Sequence, residues 1–100
     1  MATLTQAQSR SLIYRYFLNE GWLPAGTTPD TWQGVTMGDM EIDDPPLPSD
    51  PHFQKKRIAL DLQNLFFVLG SPIASPLAEL KKKTRTLAEL ADWCREHQTT

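Results

Sequence analysis

Residues 51–70 read PHFQKKRIALDLQNLFFVLG, the most apolar segment of the chain. Asp50 can cap a helix that begins here, and Pro51 suits the first helical turn because its missing N–H costs nothing there. The apolar face of this segment consists of Phe53, Ile58, Leu62, Leu65, Phe66 and Leu69. So broad a face predicts that a helix over residues 51–69 lies at the centre of the core.

A helix is also predicted over residues 6–20, where both ends carry a local signal. Thr5 and Gln8 stand three apart in a capping-box pattern, and Gly21 follows directly, as a left-handed C-terminal residue should. Apolar residues fall on one side of this helix. They are Leu12, Ile13, Tyr16 and Phe17.

Two further helices are predicted in the last third of the chain. The Ser-Pro pair at residues 75–76 repeats the cap-then-proline signal and predicts a short helix over residues 76–82. Thr86 and Glu89 form a full capping box, which predicts a helix over residues 87–97.

Length and composition point to one domain. The 100 residues, of 11.3 kDa, predict an all-α domain over residues 1–100, a small irregular four-helix bundle with a long loop over residues 21–50. One cysteine forms no internal disulfide, and no stretch approaches the roughly 18 apolar residues of a membrane span. No leader segment is visible, so we expect a cytoplasmic protein without a membrane partner.

The loop over residues 21–50 is roughly double the usual length of a connection. Its apolar residues are Trp22, Leu23, Trp32, Val35, Met37, Met40 and Ile42. Two interpretations stay open: these side chains cap the core, or Trp32, Met37 and Met40 form an exposed patch for protein contacts. A short extended piece within residues 31–42 is possible, but no sheet is predicted because no partner strand is evident.

The net charge of −2 hides a strong segregation. Residues 29–50 carry six acidic and no basic residues, whereas residues 51–85 carry seven basic and two acidic ones. Lys55, Lys56 and Arg57 stand at the start of a helix, where the helix dipole favours acids. Either the acidic loop folds back onto them in surface ion pairs, or they form a basic docking surface for an acidic partner or a phosphate.

Residues that could carry chemistry are few. Cys94 and His97 are three apart, but no orienting third group is evident, and Cys94 lies on an apolar stripe. The acidic run from Asp39 to Asp44 has calcium-like spacing without the central glycine or the distant glutamate of a calcium loop. The sequence therefore predicts no enzyme, no catalytic residue, no metal site and no cofactor.

A second basic cluster, residues 81–85, raises the possibility of nucleic-acid binding. A helix-turn-helix would then use the helix over residues 87–97 for recognition. That helix carries Glu89, Asp92 and Glu96, which would repel phosphates. The sequence therefore ranks nucleic-acid binding below the other functions.

Residues 79–93, ELKKKTRTLAELADW, resemble the passage from the short third helix into the fourth helix of acyl and peptidyl carrier proteins. The pattern extends over about residues 60–97, and the order of elements is similar along the whole chain. This resemblance implies a carrier fold with phosphopantetheine on a serine at the start of helix 2. Ser49 is the serine nearest to that position, but residues 47–52, LPSDPH, lack the Asp-Ser-Leu motif, and the helix start is basic where carriers are acidic.

The first functional hypothesis is a small non-enzymatic adaptor that binds a protein partner through the 21–50 loop and helix 2. Its predicted partner-binding residues are Trp32, Met37, Met40, Lys55, Lys56 and Arg57. The alternatives are a carrier-like domain modified at Ser49 and a weak nucleic-acid binder that uses residues 81–85. The sequence leaves the oligomeric state open.

Overall fold

The computed structural model describes residues 4–99, which form four α-helices, one 3-10 turn and no β-strand. The helices are α1 (Gln6–Glu20), α2 (Phe53–Val68), α3 (Leu77–Leu80) and α4 (Leu87–Glu96), and the 3-10 turn is Trp32–Gly34. The prediction of an all-α chain is confirmed. α1 has its predicted bounds, α2 begins two residues later than predicted, and α3 is shorter.

Local capping fixes the start of α1 and of α4. The Thr5 hydroxyl accepts a hydrogen bond from the Gln8 N–H at 3.2 Å, and the Gln8 side chain accepts one from the Thr5 N–H at 2.9 Å. Thr86 and Glu89 repeat this reciprocal pair at 3.1 and 3.0 Å. Gly21 ends α1 at φ +77°, the left-handed conformation in which glycine meets no steric cost. Both capping-box predictions are confirmed.

α1 packs along α4 through a buried hydrogen bond and an ion pair at the rim. The Ser9 hydroxyl donates to the Ala91 carbonyl at 2.7 Å. The Arg10 guanidinium donates twice to the Asp92 carboxylate, at 3.1 and 2.9 Å, and this bond holds the pKa of Asp92 below its usual range. The two helices are therefore aligned by polar contacts as well as by apolar packing.

The core within residues 4–99 draws on all four helices and on the long loop. Its buried apolar members are Ile13, Phe17, Trp32, Met37, Met40, Ile42, Ile58, Ala59, Leu62, Phe66, Ile73, Leu80, Leu87, Leu90, Ala91 and Cys94. Trp32, Met37 and Met40 are only 4–5% exposed. The interpretation as core caps is confirmed, and the exposed patch that these three side chains would form is wrong.

Backbone pairing explains why the loop enters the core. Residues 35–38 lie beside residues 83–87, which are the end of the α3–α4 connection and the first residue of α4. Thr36 and Thr86 form an isolated antiparallel bridge there, so the extended piece does have a partner. The hydrogen bonds run from the Met37 N–H to the Arg85 carbonyl at 2.9 Å, from the Gly38 N–H to the Lys83 carbonyl at 3.0 Å, and from the Leu87 N–H to the Val35 carbonyl at 2.8 Å. We call this pairing the loop clamp. It provides hydrogen-bond partners for the main chain on both sides of the buried Met37.

Gly38→Ala should weaken the loop clamp. A Cβ at position 38 would lie 3.1 Å from the Lys83 carbonyl oxygen, which is backbone and cannot swing away. We expect the free energy of unfolding to fall by about 1–2 kcal/mol, measured by urea titration. Gly34→Ala is the matched control, because a Cβ there meets open space, and it should leave stability nearly unchanged. Equal losses in the two variants would contradict the clamp.

Asp92→Asn should remove the Arg10 pair and lower the free energy of unfolding by about 1 kcal/mol at neutral pH. Because folding lowers the pKa of Asp92, this contribution is complete above the ordinary value of 3.8 and is lost as the pH falls through the lower folded value. Urea titrations should thus show a constant difference between variant and parent down to about pH 5, shrinking below about pH 4. A difference that grows on acidification would refute this pairing.

Candidate functional site

The start of α2 is capped by a residue from the acidic loop. The Asp43 carboxylate accepts hydrogen bonds from the N–H groups of Gln54, at 2.8 Å, and Lys55, at 3.2 Å. The predicted cap, Asp50, is wrong: its carboxylate accepts from the His52 N–H at 3.2 Å, ahead of the helix. The helix begins at Phe53, two residues after the proline that was expected to open it. The negative charge of Asp43 lies at the positive end of the helix dipole.

Two of the basic residues at the start of α2, Lys56 and Arg57, are paired within the chain. Lys56 lies 3.3 Å from the carboxylate of Asp50, which belongs to the acidic loop. Arg57 lies 2.9 Å from the carboxylate of Glu20 and 3.9 Å from that of Asp61. The Lys56–Asp50 contact agrees with the interpretation in which the acidic loop folds back onto the basic helix start, whereas Arg57 pairs with acids of α1 and α2 instead.

The six predicted partner-binding residues do not form one surface. Trp32 packs inside the fold, with its ring 5.2 Å from the ring of Tyr14, and Met37 and Met40 are buried as well. The three basic residues stay at the surface; Lys55 is half-buried, and Lys56 and Arg57 are exposed. A docking mechanism that combines the apolar and the basic residues is therefore not available.

The second basic cluster is partly neutralised by a buried acid. Glu79, at the end of α3, is buried and lies 2.7 Å from Lys82 and 3.0 Å from Arg85. Arg85 also lies 3.6 Å from Glu89 on α4. Two cations of the 81–85 cluster, Lys82 and Arg85, are thus paired with acidic residues of α3 and α4.

Of the residues considered for chemistry, Cys94 is buried, whereas His97 and Ser49 are exposed. Burial raises the pKa of the Cys94 thiol to about 12, with a further contribution from Glu79, so the thiol stays protonated at neutral pH. His97 is exposed and stacks on Trp93 with 4.2 Å between ring centroids. Ser49 is exposed and precedes the first residue of α2 by a short stretch of non-helical chain. Cys94 is therefore a core residue, as its place on the apolar stripe predicts.

Exposed apolar side chains gather on α2. Among residues 4–99, eight large apolar side chains are exposed, and six of them lie between residues 53 and 69. They are Phe53, Leu60, Leu65, Phe67, Val68 and Leu69. Single exposed apolar residues are ordinary on protein surfaces, but a group on one helix is a candidate interaction surface. This surface is the strongest functional feature of the described chain.

Three of these residues form a stripe that faces away from the core. Phe53, Leu60 and Phe67 are spaced by seven residues, so they lie on one side of the helix, and they are 48, 62 and 69% exposed. We call this stripe the outer face of α2. The core-facing side of the same helix carries Ile58, Leu62 and Phe66. α2 is therefore apolar on two opposite sides.

The other exposed apolar residues lie towards α1. Leu65 and Leu69 line a groove of about 590 Å³ whose α1 side includes Leu12 and Tyr16. The Tyr16 hydroxyl donates to Asp61 at 2.7 Å; burial and this carboxylate raise the pKa of the phenol above its ordinary value. Tyr16 therefore remains protonated, and its hydrogen bond to Asp61 joins α1 to α2 beside the apolar groove.

The helical pattern predicts Phe53, Leu65 and Leu69 on the buried face of α2, and this prediction is wrong because all three are exposed. The predicted face also does not include Leu60 or Phe67. Two signals could have identified the outer face. The stretch 65–69, LFFVL, is apolar at five successive positions, which is wider than one side of a helix can bury. The sevenfold spacing of the stripe is the other signal.

Comparisons of the chain with protein-family models, with curated proteins and with solved structures find no significant match. Within residues 4–99, no group of three or more His, Cys, Asp or Glu side chains is placed to hold a metal ion. Over the same residues, none of the helices combines the length and apolar character needed to cross a membrane.

Asp43→Ala should destabilise α2 because it removes the acceptor for two N–H groups in the first helical turn. We expect the free energy of unfolding to fall by about 1–2 kcal/mol in a urea titration. Asp43→Asn keeps one acceptor oxygen and tolerates the left-handed backbone at φ +64°, so it should lose less. The control is Asp30→Ala, at an exposed acid of the same loop. A loss at Asp30 that equals the loss at Asp43 would contradict the cap.

Proposed function

We propose that this chain, a small irregular four-helix bundle, is a non-enzymatic protein-interaction module that docks its partner on the outer face of α2. The observation that supports this proposal is the exposure of Phe53, Leu60 and Phe67 along one side of a helix whose opposite side is in the core. Large apolar side chains gain free energy when a partner removes them from water. An apolar centre that includes aromatic residues, set in a polar rim, is the usual composition of such a surface.

The partner that fits this surface is an apolar side of another helix. A straight stripe of side chains at helical spacing is complementary to a second helix, whose side chains pack between those of the first. Lys56 and Arg57 lie beside the stripe and keep exposed side chains while paired at the surface. They provide a polar rim at the N-terminal half of α2.

The long loop supports this surface from within. Met37 and Ile42 are buried in the core that α2 faces, and Asp43 caps the first turn of the helix. The loop thus fixes where α2 begins and how it is rotated about its axis. That rotation decides which of the apolar residues of α2 are left in solvent.

A carrier-type function stays a prediction. Ser49 is exposed, as an attachment site for phosphopantetheine requires, but it lies in the non-helical chain ahead of Phe53. Lys55 and Lys56 follow where the resemblance implies acidic residues. The apolar stripe needs no modification to bind, so the interaction module accounts for more of the structure.

A photo-crosslinking phenylalanine analogue at position 67, in cells that express the chain, should capture a discrete protein identifiable by mass spectrometry. The matched control places the analogue at position 47, where Leu47 is 46% exposed outside α2, and should capture much less. Adding Leu60→Asp should reduce capture at position 67 at least about tenfold, since a charge in the stripe opposes burial. Equal capture at both positions, or capture indifferent to Leu60→Asp, would refute the docking surface.

A further inference from the structure

We propose that the occupant of the outer face of α2 is a second copy of this chain, packed antiparallel about a two-fold axis that passes beside Leu60. This inference rests on the proposed function for its surface and adds the identity of the partner. It follows from three features of α2: the symmetry of the stripe, the distribution of charge along the helix, and the grooves on either side.

The stripe is symmetric about its own centre. Phe53 and Phe67 each stand seven residues from Leu60, about 10.5 Å along the helix axis in opposite directions. A two-fold axis at Leu60 therefore brings Phe53 of each copy against Phe67 of the other and places the two Leu60 side chains together. A two-fold interface must be complementary to itself, and this spacing meets that requirement.

The charges of α2 select the antiparallel direction. Lys56 and Arg57, its two exposed cations, lie in the N-terminal half, whereas residues 62–68 carry no charge. A parallel pair would bring the basic residues of the two copies together, and like charges at close range oppose association. An antiparallel pair avoids this repulsion and also sets the two helix dipoles in opposite directions.

The same arrangement gives the basic residues uncharged polar neighbours. Lys56 and Gln63 lie along one flank of the stripe, and Arg57 and Asn64 lie along the other. A two-fold axis that lies in the interface, perpendicular to both helices, places each flank of one copy opposite the same flank of the other copy. Lys56 of one copy thus meets Gln63 of the second copy, and Arg57 meets Asn64. An amide oxygen can accept a hydrogen bond from either cation.

The surroundings of the stripe are shaped for interdigitation. Between α2 and α3 runs a groove of about 250 Å³, with Ala59, Leu60 and Leu77 among its lining residues. On the α1 side, Leu65 and Val68 belong to a second groove of about 430 Å³. A ridge between two grooves allows the side chains of one helix to fill the grooves beside the other, as in ordinary helix packing.

Sedimentation of the full chain tests the inference. The concentration range extends from about 1 μM to about 1 mM, because a stripe of three side chains per copy supports only a weak dimer. We expect a reversible monomer–dimer equilibrium within this range. Leu60→Asp should raise the dissociation constant at least about tenfold, and Leu47→Asp, at an exposed leucine outside α2, should leave it unchanged. Circular dichroism should show the same helix content in all three proteins.

Engineered cysteines test the direction of packing. The native Cys94 is retained, because its thiol is buried. Under mild oxidation, Leu60→Cys alone should form a disulfide-linked dimer. Phe53→Cys and Phe67→Cys should each stay unlinked alone, since like positions lie about 21 Å apart along the axis, and should link when mixed. Linkage of Phe53→Cys with itself would indicate parallel packing and overturn the proposal.

The outcomes separate this inference from the proposed function. The second-copy assignment is overturned if the chain stays monomeric at every concentration. It is also overturned if Leu60→Asp leaves the dissociation constant of the dimer unchanged. If a different protein is then captured at position 67 and lost with Leu60→Asp, the interaction module stands with another occupant. If neither a dimer nor a captured protein depends on Leu60, both proposals fail.

Discussion

The hydrogen-bonded pairing of the long loop with the α3–α4 connection is the interaction on which the other features of this structure rest. A loop that sends Met37 into the core must also bury part of its backbone, and every buried N–H and C=O requires a partner. The connection between α3 and α4 supplies those partners, and Gly38 permits the close approach to the Lys83 carbonyl. Once this pairing forms, the loop becomes part of the core, although its composition is typical of a surface connection.

The arrangement of α2 follows from that pairing. The loop continues from Met37 through Ile42, which is buried, to Asp43, whose carboxylate holds the first N–H groups of the helix. The inner side of α2 is thereby covered by the loop and the other helices. The loop cannot cover the outer side as well, so Leu60 and Phe67 remain in solvent. The outer face of α2 thus stays exposed because the apolar residues of the loop pack in the core, on the opposite side of the helix.

The predictions that succeeded rest on contacts between residues a few positions apart. Thr5 with Gln8 and Thr86 with Glu89 give the starts of α1 and α4, because each pair closes within one helical turn. The cap of α2 was wrong because Asp50 and Asp43 are both plausible acids, and only the path of the loop chooses between them. The docking patch was wrong for a related reason: a tryptophan or methionine in a loop is equally suited to a core or to a partner.

The sequence by itself determined the helical class, the ends of α1 and α4, the segregation of charge and the core position of Cys94, since propensity, capping and helical periodicity act over short distances. Only the tertiary structure decided that residues 35–38 pair with residues 83–87, and that the apolar surplus of α2 faces outward. These outcomes depend on contacts between segments far apart in the chain. Periodicity shows that a helix has two apolar sides, whereas packing alone decides which side the core takes.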